Sequence, residues 1–319
     1  MNIDFKTILF SKENNRLTAY PPKDKDIWNL YKKQQQLYWI PEEIKLSQDI
    51  SDWKKLTINE QNMLKLVLAF FATSDGIVSM NLTERFINDI ELTEVKMFYR
   101  FQAMMEDIHS EVYSKLIEEY IIDKNEKNKL FNAINEIECV KNKANWAIKW
   151  INCSDSFEKR LLAFAIVEGI YFSGSFCIIY WFAERNLLKG LVQSNEFISR
   201  DEGIHTDFAI LLYNKINNKL NEKIVYEIFD EAVEIEKQFI KKMLPTDLIG
   251  MNYKLMSEYI EFVADNLLQD LNYSKKYKSS NPFSFMNKIN IPKTTNFFEN
   301  HSTQYSKITN SNNIDADNF

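Results

Sequence analysis

Apolar residues recur at helical spacing along most of this chain, and the residues that would interrupt such runs are scarce, with six glycines and six prolines in 319 positions. Thr57-x-x-Glu60 is a capping-box signature and opens a helix through LVLAFFATSDGIVSMNLTERF. The pattern predicts a second helix from about Thr93 to Ile122, then two shorter ones over 124–137 and 140–151 divided at Cys139-Val140. A very apolar helix over 156–186 follows, then one over 193–217 and two amphipathic ones over 221–243 and 250–272. Residues 1–50 hold Pro21-Pro22 and Pro41, with Trp28, Tyr31, Tyr38 and Trp39 among polar neighbours. They read as loops and one short helix wrapping onto the main body. From Lys275 the chain turns polar, with Pro282 and Pro292, and its last stretch, HSTQYSKITNSNNIDADNF, cannot bury a core. The expected architecture is therefore all-α: an N-terminal segment (1–50), a helical bundle (51–273) and a flexible C-terminal tail (274–319).

The run LLAFAIVEGIYFSGSFCIIYWFA, between Arg160 and Glu184, is long enough to span a bilayer. Its single charge, Glu168, sits near the middle, where lipid would penalise it. No second run of that length stands out, so a buried core helix is the better reading and no membrane partner is expected. Hydrophobic residues make up 45 % of the chain, ample for a sizeable core. The net charge of −6 and a pI near 5.4 argue against a nucleic-acid surface, which needs a basic face. Cys139, Cys153 and Cys177 are an odd number without close spacing, which disfavours a disulfide framework. Met1 to Asn15 show no charged-then-apolar leader pattern, and a cytoplasmic location is expected. Lys12-Glu13-Asn14 spells a short degradation signal of some cell-cycle proteins. Three residues in a chain rich in those types carry little, and packing is the simpler reading.

The chemistry concentrates at Glu106-Asp-Ile-His109-Ser-Glu-Val-Tyr113. Glu106 and His109 are three apart, and His109 and Tyr113 four apart, so a helix brings all three to one face. Only three histidines occur, and a second, His205, repeats the arrangement with Glu202 three residues before it. Two lone carboxylates, Asp75 and Glu168, lie in apolar helical stretches, where an ionised group is costly unless paired or metal-bound. Asp75 precedes Glu106 by 31 residues and Glu168 precedes Glu202 by 34, so the two halves share one layout. Each alone could be a neutral acid or an ion-pair partner. Together they form the donor set of ferritin-like dinuclear carboxylate proteins: one Glu-x-x-His from each of two helices and one carboxylate from each of two others. Oxygen-rich ligation with one imidazole per ion suits iron or manganese better than zinc. The charges agree: four carboxylates balance two divalent ions, or two trivalent ions with an oxide bridge.

Eight segments, AFFATSDGIV, EDIHSEVY, VEGIYFSGSF, SNEFISRDEGIHTDF, LIGMN, YIEFVAD, NPFSFM and KTTNFFE, closely resemble the small, radical-generating subunit of class I ribonucleotide reductases of the eukaryotic and poxvirus type. The resemblance runs from about Trp28 to Tyr305. It implies a ferritin-like bundle holding an oxide-bridged pair of iron ions on Asp75, Glu106, His109, Glu168, Glu202 and His205, with manganese fitting similar ligands. It implies that Tyr113 carries a stable radical, in an apolar pocket to which Phe172, Phe176 and Ile198 belong. Tyr171 stands where many relatives have phenylalanine. Trp39, Asp201 and Tyr305 resemble a relay that passes the oxidising equivalent outward, with His109 accepting from Asp201, and Asp201 holding the indole N–H of Trp39. The end, Asp315-Ala-Asp317-Asn-Phe319, resembles a tail that docks on the large catalytic subunit, although Asn318 interrupts the Asp-x-Asp-Phe ending of many relatives. A homodimer is expected, with substrate and redox cysteines on that partner. The residues alone also suit an iron-storage bundle, a di-iron oxidase with its own substrate, or a non-catalytic scaffold. The first needs neither Tyr113 nor an acidic tail, and the last usually loses ligands.

Overall fold

A computed structural model describes residues 4–154 and 156–288. Among these residues every regular element is helical, apart from one isolated bridge between Leu248 and Met251. The N-terminal part forms α1 (Phe5–Phe10), α2 (Lys25–Gln36) and α3 (Asp49–Trp53). The body consists of α4 (Ile58–Asn81), α5 (Ile87–Asp89), α6 (Thr93–Tyr120), α7 (Lys124–Phe131), α8 (Ala133–Glu136), α9 (Glu138–Asn152), α10 (Phe157–Ile166), α11 (Ser173–Glu184), α12 (Lys189–Lys215), α13 (Glu222–Met243) and α14 (Tyr253–Asp270). A short α15 (Ser284–Lys288) ends the described chain. Two π-helical turns, Leu82–Phe86 and Val167–Tyr171, join α4 to α5 and α10 to α11.

The sequence expectations hold for the long helices and shift at the connections. Thr57 and Glu60 form the predicted capping box: the Thr57 side chain accepts from the Glu60 N–H, and Glu60 accepts from the Thr57 N–H at 2.7 Å. The first fifty residues hold more helix than expected. Asp4 caps α1 and Asp24 caps α2, and α2 lays buried Ile27 and Gln34 against α6. Cys139-Val140 does not divide two helices but lies inside α9. The break comes earlier, where Ile137 is extended. Lys12-Glu13-Asn14 is a 3-10 turn whose Asn14 is buried and donates to the Ile8 carbonyl, which favours the packing reading.

Four rods enclose the centre. α4 packs along α6, the α10–π–α11 rod packs along α12, and α6 touches α12 to join the two pairs. Among the described residues two spans are apolar and long enough to cross a membrane, Phe157–Glu184 and also Ile58–Asp89, a second one that the sequence reading did not pick out. Of their most apolar windows, 89 % and 56 % respectively are buried inside the protein. Each fully buried Leu, Ile or Phe there contributes roughly 1.5–3 kcal/mol.

One carboxylate registers the two Glu-x-x-His helices against each other. Asp49 on α3 accepts the Gly190 and Leu191 N–H groups at the start of α12 (2.9 and 2.8 Å) and the Tyr120 hydroxyl at the end of α6 (2.7 Å). A Cβ at Gly190 would stand 2.6 Å from the Lys45 carbonyl oxygen, so only glycine permits this approach. Residues 276–279 run back over α14, where Asp265 accepts the N–H groups of Lys276, Tyr277 and Ser279. Tyr305 and the acidic ending from Asp315 to Phe319 lie outside the described residues.

Candidate metal centre

All six side chains singled out by spacing converge. Asp75 comes from the C-terminal third of α4, Glu106 and His109 from α6, Glu168 from the π turn, and Glu202 and His205 from α12. Each is at most 3 % exposed. They form two overlapping groups, Asp75–Glu106–His109 and Glu106–Glu168–Glu202–His205, in each of which the donor atoms lie within 4.8 Å of one another. Glu106 belongs to both, so its two oxygens can serve two ions. His205 Nδ1 lies 3.1 Å from Glu106 Oε1 and 3.4 Å from Glu202 Oε2. His109 Nδ1 lies 3.1 Å from Glu202 Oε1, without hydrogen-bond alignment.

This donor set has far more acceptors than donors. Both Asp75 oxygens, Glu106 Oε2, Glu168 Oε2 and Glu202 Oε1 are buried without a hydrogen-bond partner. Leaving several carboxylates unsatisfied in a dry interior would cost several kcal/mol per ion. With protons alone the groups pull against one another. Burial, reinforced by Glu106 and Glu202, pushes Asp75 well above the carboxylate range, and burial with Glu202 and Glu106 does the same to Glu168. Burial opposes ionisation of Glu202 too, but the close approach of the His109 and His205 imidazoles outweighs it and holds that carboxyl far down. Burial disfavours the His205 cation, yet Glu106 and Glu202 lift it to about 9. Two cations would satisfy every one of these groups at once, so the residues present fit a dinuclear site.

Two contributors beside the metal donors escaped the sequence reading. Gln102 is buried four residues before Glu106, and its amide donates to Glu168 Oε1 at 2.9 Å and Glu106 Oε1 at 3.3 Å. The same spacing that linked Glu106, His109 and Tyr113 would have reached it. Phe71, four residues before Asp75, stacks on the Tyr113 ring at 4.5 Å and 19°. Phe176 and Phe172 lie behind it, at 5.2 and 5.8 Å from Phe71, and Ile198 is buried. Phe71 is thus the ring directly on Tyr113, with the expected phenylalanines one layer out. Tyr113 is 1 % exposed, its hydroxyl has no partner, and burial first, then Asp75, pushes it well above the ordinary phenol range. Tyr171 faces elsewhere. Its ring meets Trp146 at 5.2 Å, and its carbonyl accepts from Lys143 at 2.7 Å. Lys143 in turn pairs with Glu236 at 2.6 Å, both fully buried.

The outward chain of contacts starts on the far side of His109. Trp39 donates its indole N–H to Asp201 Oδ2 at 2.7 Å, and His109 Nε2 lies 3.2 Å from the same oxygen. With Nδ1 turned to the carboxylate cluster, Nε2 carries the proton. Asp201 therefore accepts from both rings, which reverses the direction expected for the His109 bond. Arg200, also missed, donates to Asp201 Oδ1 and to the Leu37 carbonyl, fixing the carboxylate beside Trp39. The Trp39 and His109 rings are 5.9 Å apart and nearly parallel, at 16°.

The family profile described as "Ribonucleotide reductase, small chain" matches residues 16–282. The ribonucleoside-diphosphate reductase small subunit of Dictyostelium discoideum is 54 % identical over 298 residues, covering 93 % of this chain and 88 % of that one. The small chain of Vaccinia virus (strain Ankara) is 51 % identical over 294 residues, covering 92 % of each. Among solved structures, the ribonucleotide reductase Rnr4 homodimer from Saccharomyces cerevisiae superposes with a TM-score of 0.80 at 37 % identity, covering 94 % of this chain and 92 % of that one.

Proposed function

The chain belongs to the ribonucleotide reductase small-chain family, and on that premise we propose that it stores an oxidising equivalent on Tyr113 and delivers it to a large catalytic subunit that reduces ribonucleoside diphosphates. Asp75, Glu106, His109, Glu168, Glu202 and His205 hold two iron ions, with manganese as the alternative. When loaded and exposed to dioxygen, that pair supplies the power to oxidise a phenol. The observation that carries this reading is the acceptor-rich double cluster sharing Glu106, set beside a buried phenol whose hydroxyl bonds to nothing else.

The chain's own residues do the rest. Tyr113 would give up one electron to the oxidant that the loaded centre supplies and its hydroxyl proton to the neighbouring carboxylate cluster, of which Asp75 acts on it most strongly. Phe71, backed by Phe172 and Phe176, keeps water and reductants from the ring, and the missing hydrogen-bond partner leaves the phenoxyl oxygen nothing to take a proton from. Gln102 orients Glu106 and Glu168 by donating to one oxygen of each, leaving the others for cations. Asp201 ties His109 to Trp39, and Trp39 sits between Tyr38 and Ile40, which are 50 % and 39 % exposed. The hole passes by that route toward the surface and then to Tyr305. Residues 276–279 are tied to α14, so the docking role falls to the end of the chain, from Asp315 to Phe319, which binds the large subunit, and two copies of the chain form a homodimer, as the Rnr4 neighbour does.

After anaerobic loading with ferrous iron and exposure to oxygen, a tyrosyl radical signal should develop in electron spin resonance and absorption. Tyr113→Phe should abolish it while iron stays bound; a signal that survives the substitution overturns the assignment. Deleting the residues from Ile314 onward should spare the radical and remove activity with the large subunit. Unchanged activity would defeat the docking role.

A further inference from the structure

Beyond the phenylalanine layer around Tyr113 lies a second phenol. Phe176 and Tyr180 are one turn apart on α11, and Phe176 packs at 5.2 Å on Phe71, the ring stacked on Tyr113. On α12, which packs against α11, Ser199 follows Ile198 of the same pocket, and its Oγ lies 2.8 Å from the Tyr180 Oη. The two helices thus bring Tyr180 close behind the pocket, near enough for its charge to act on Tyr113.

The two phenols differ in what lies on their outer side. A cleft of about 330 Å³ between the α10–π–α11 rod, α12 and α14 is lined by Phe176, Tyr180, Ser199 and Tyr259, among others, whereas Tyr113 does not border it. The Tyr113 hydroxyl has no partner, while Tyr180 can donate to Ser199, a hydroxyl able to accept one proton and pass on another. Because Ser199 also borders the cleft, a proton leaving Tyr180 has a path to water. At rest the phenol keeps it: burial pushes Tyr180 up to about 12, against the opposing hydrogen bond to Ser199.

We propose that Tyr180 is a second redox-active phenol, through which small electron donors in the cleft reduce the Tyr113 radical without touching it. The proposal rests on the Tyr113 radical reading. First, one electron passes from the Tyr180 ring to Tyr113 across the phenylalanine layer, and the Tyr180 proton leaves through Ser199. The proton that the carboxylate cluster took from Tyr113 returns only once that electron has arrived, since no hydrogen bond offers one beforehand. A neutral donor of the hydroquinone class then gives Tyr180 one electron and one proton, restoring the phenol. The aromatic layer excludes molecules from Tyr113 but not electrons. The radical therefore has two exits, by Trp39 toward the surface and by Tyr180 toward the cleft.

The test uses the full chain loaded with ferrous iron and oxygen. After hydroquinone is added, the tyrosyl spin-resonance signal is followed as a fraction of its starting value. Tyr180→Phe keeps the ring and should slow the decay about tenfold. Ser199→Ala removes only the proton path and should slow it by a smaller factor. A readout that packing alone does not move comes from an aminotyrosine in place of Tyr180, a phenol that is easier to oxidise. It should drain the Tyr113 signal with no donor present and replace it with an aminotyrosyl signal. Parental decay in Tyr180→Phe, or an undiminished Tyr113 signal beside the aminotyrosine, would overturn the role of Tyr180 and leave the Tyr113 radical standing. A parent chain that forms no tyrosyl radical would instead sink the Tyr113 reading, and this one with it.

Discussion

The two halves of the centre are near copies in layout and opposites in surroundings. In the first, Asp75 sits in the unbroken helix α4 and faces α6 under a layer of phenylalanines. In the second, Glu168 sits in a π turn and faces a polar, acidic cleft. The backbone explains part of the difference. A π turn carries one extra residue and leaves carbonyls without regular partners. At its end Lys143, held by Glu236, donates to the Tyr171 carbonyl. A Cβ on Gly174 would stand 2.7 Å from Glu236 Oε1, so a glycine lets this pair lie close under the helix. A donor set of near-symmetric layout thus has one side closed by aromatic packing and one side that borders a polar cleft.

Substitutions can break this comparison, and the largest effect should come from the residue both halves share. Glu106→Ala should remove both ions, whereas Asp75→Asn should remove only the one beside Tyr113. A titration with Mn2+ counts them, and a Glu106→Ala protein that still binds two would show that the halves are independent. Next is the support peculiar to the open half. Lys143→Met leaves Glu236 buried without its partner and should cost about 3–5 kcal/mol in denaturant unfolding. Adding Glu236→Met should recover most of that stability. The Tyr171 carbonyl would still lack its donor, so Mn2+ at the Glu168 position should bind about tenfold more weakly, equivalent to one hydrogen bond of ~1.5 kcal/mol. Parental affinity in the stable double variant would mean that Lys143 only packs. The smallest effect is on the closed half. Phe71→Leu should cost about 1–1.5 kcal/mol and leave metal binding alone, yet shorten the lifetime of the Tyr113 signal toward small reductants. An unchanged lifetime would show that other groups seal the phenol.

Burial and charge also separate the residues proposed to carry oxidation from those proposed to hold ions. Trp39 and His109 meet at one oxygen of Asp201, while Arg200 engages the other. A carboxylate so occupied is a fixed link between two rings. Asp75 and Glu168 keep buried oxygens without a hydrogen-bond partner, as the ligand role proposed for them requires.

Much of this was already legible in the order of residues. Helical periodicity is local: spacings of three and four place Glu106, His109 and Tyr113 on one face whatever packs against it, and they would have reached Gln102 and Phe71 equally well had each stripe been followed further. Helix ends are local too, which is why the Thr57–Glu60 box is where its pattern placed it. Which faces meet is not local. The reversal of the His109–Asp201 bond, the turn of Tyr171 toward Trp146 and the π turn under Glu168 depend on neighbours tens to over a hundred residues away. The cleft likewise is lined by helices that lie far apart in the chain. Composition and period decided which side chains could act; packing among helices distant in the chain decided which of them face water and which stay dry.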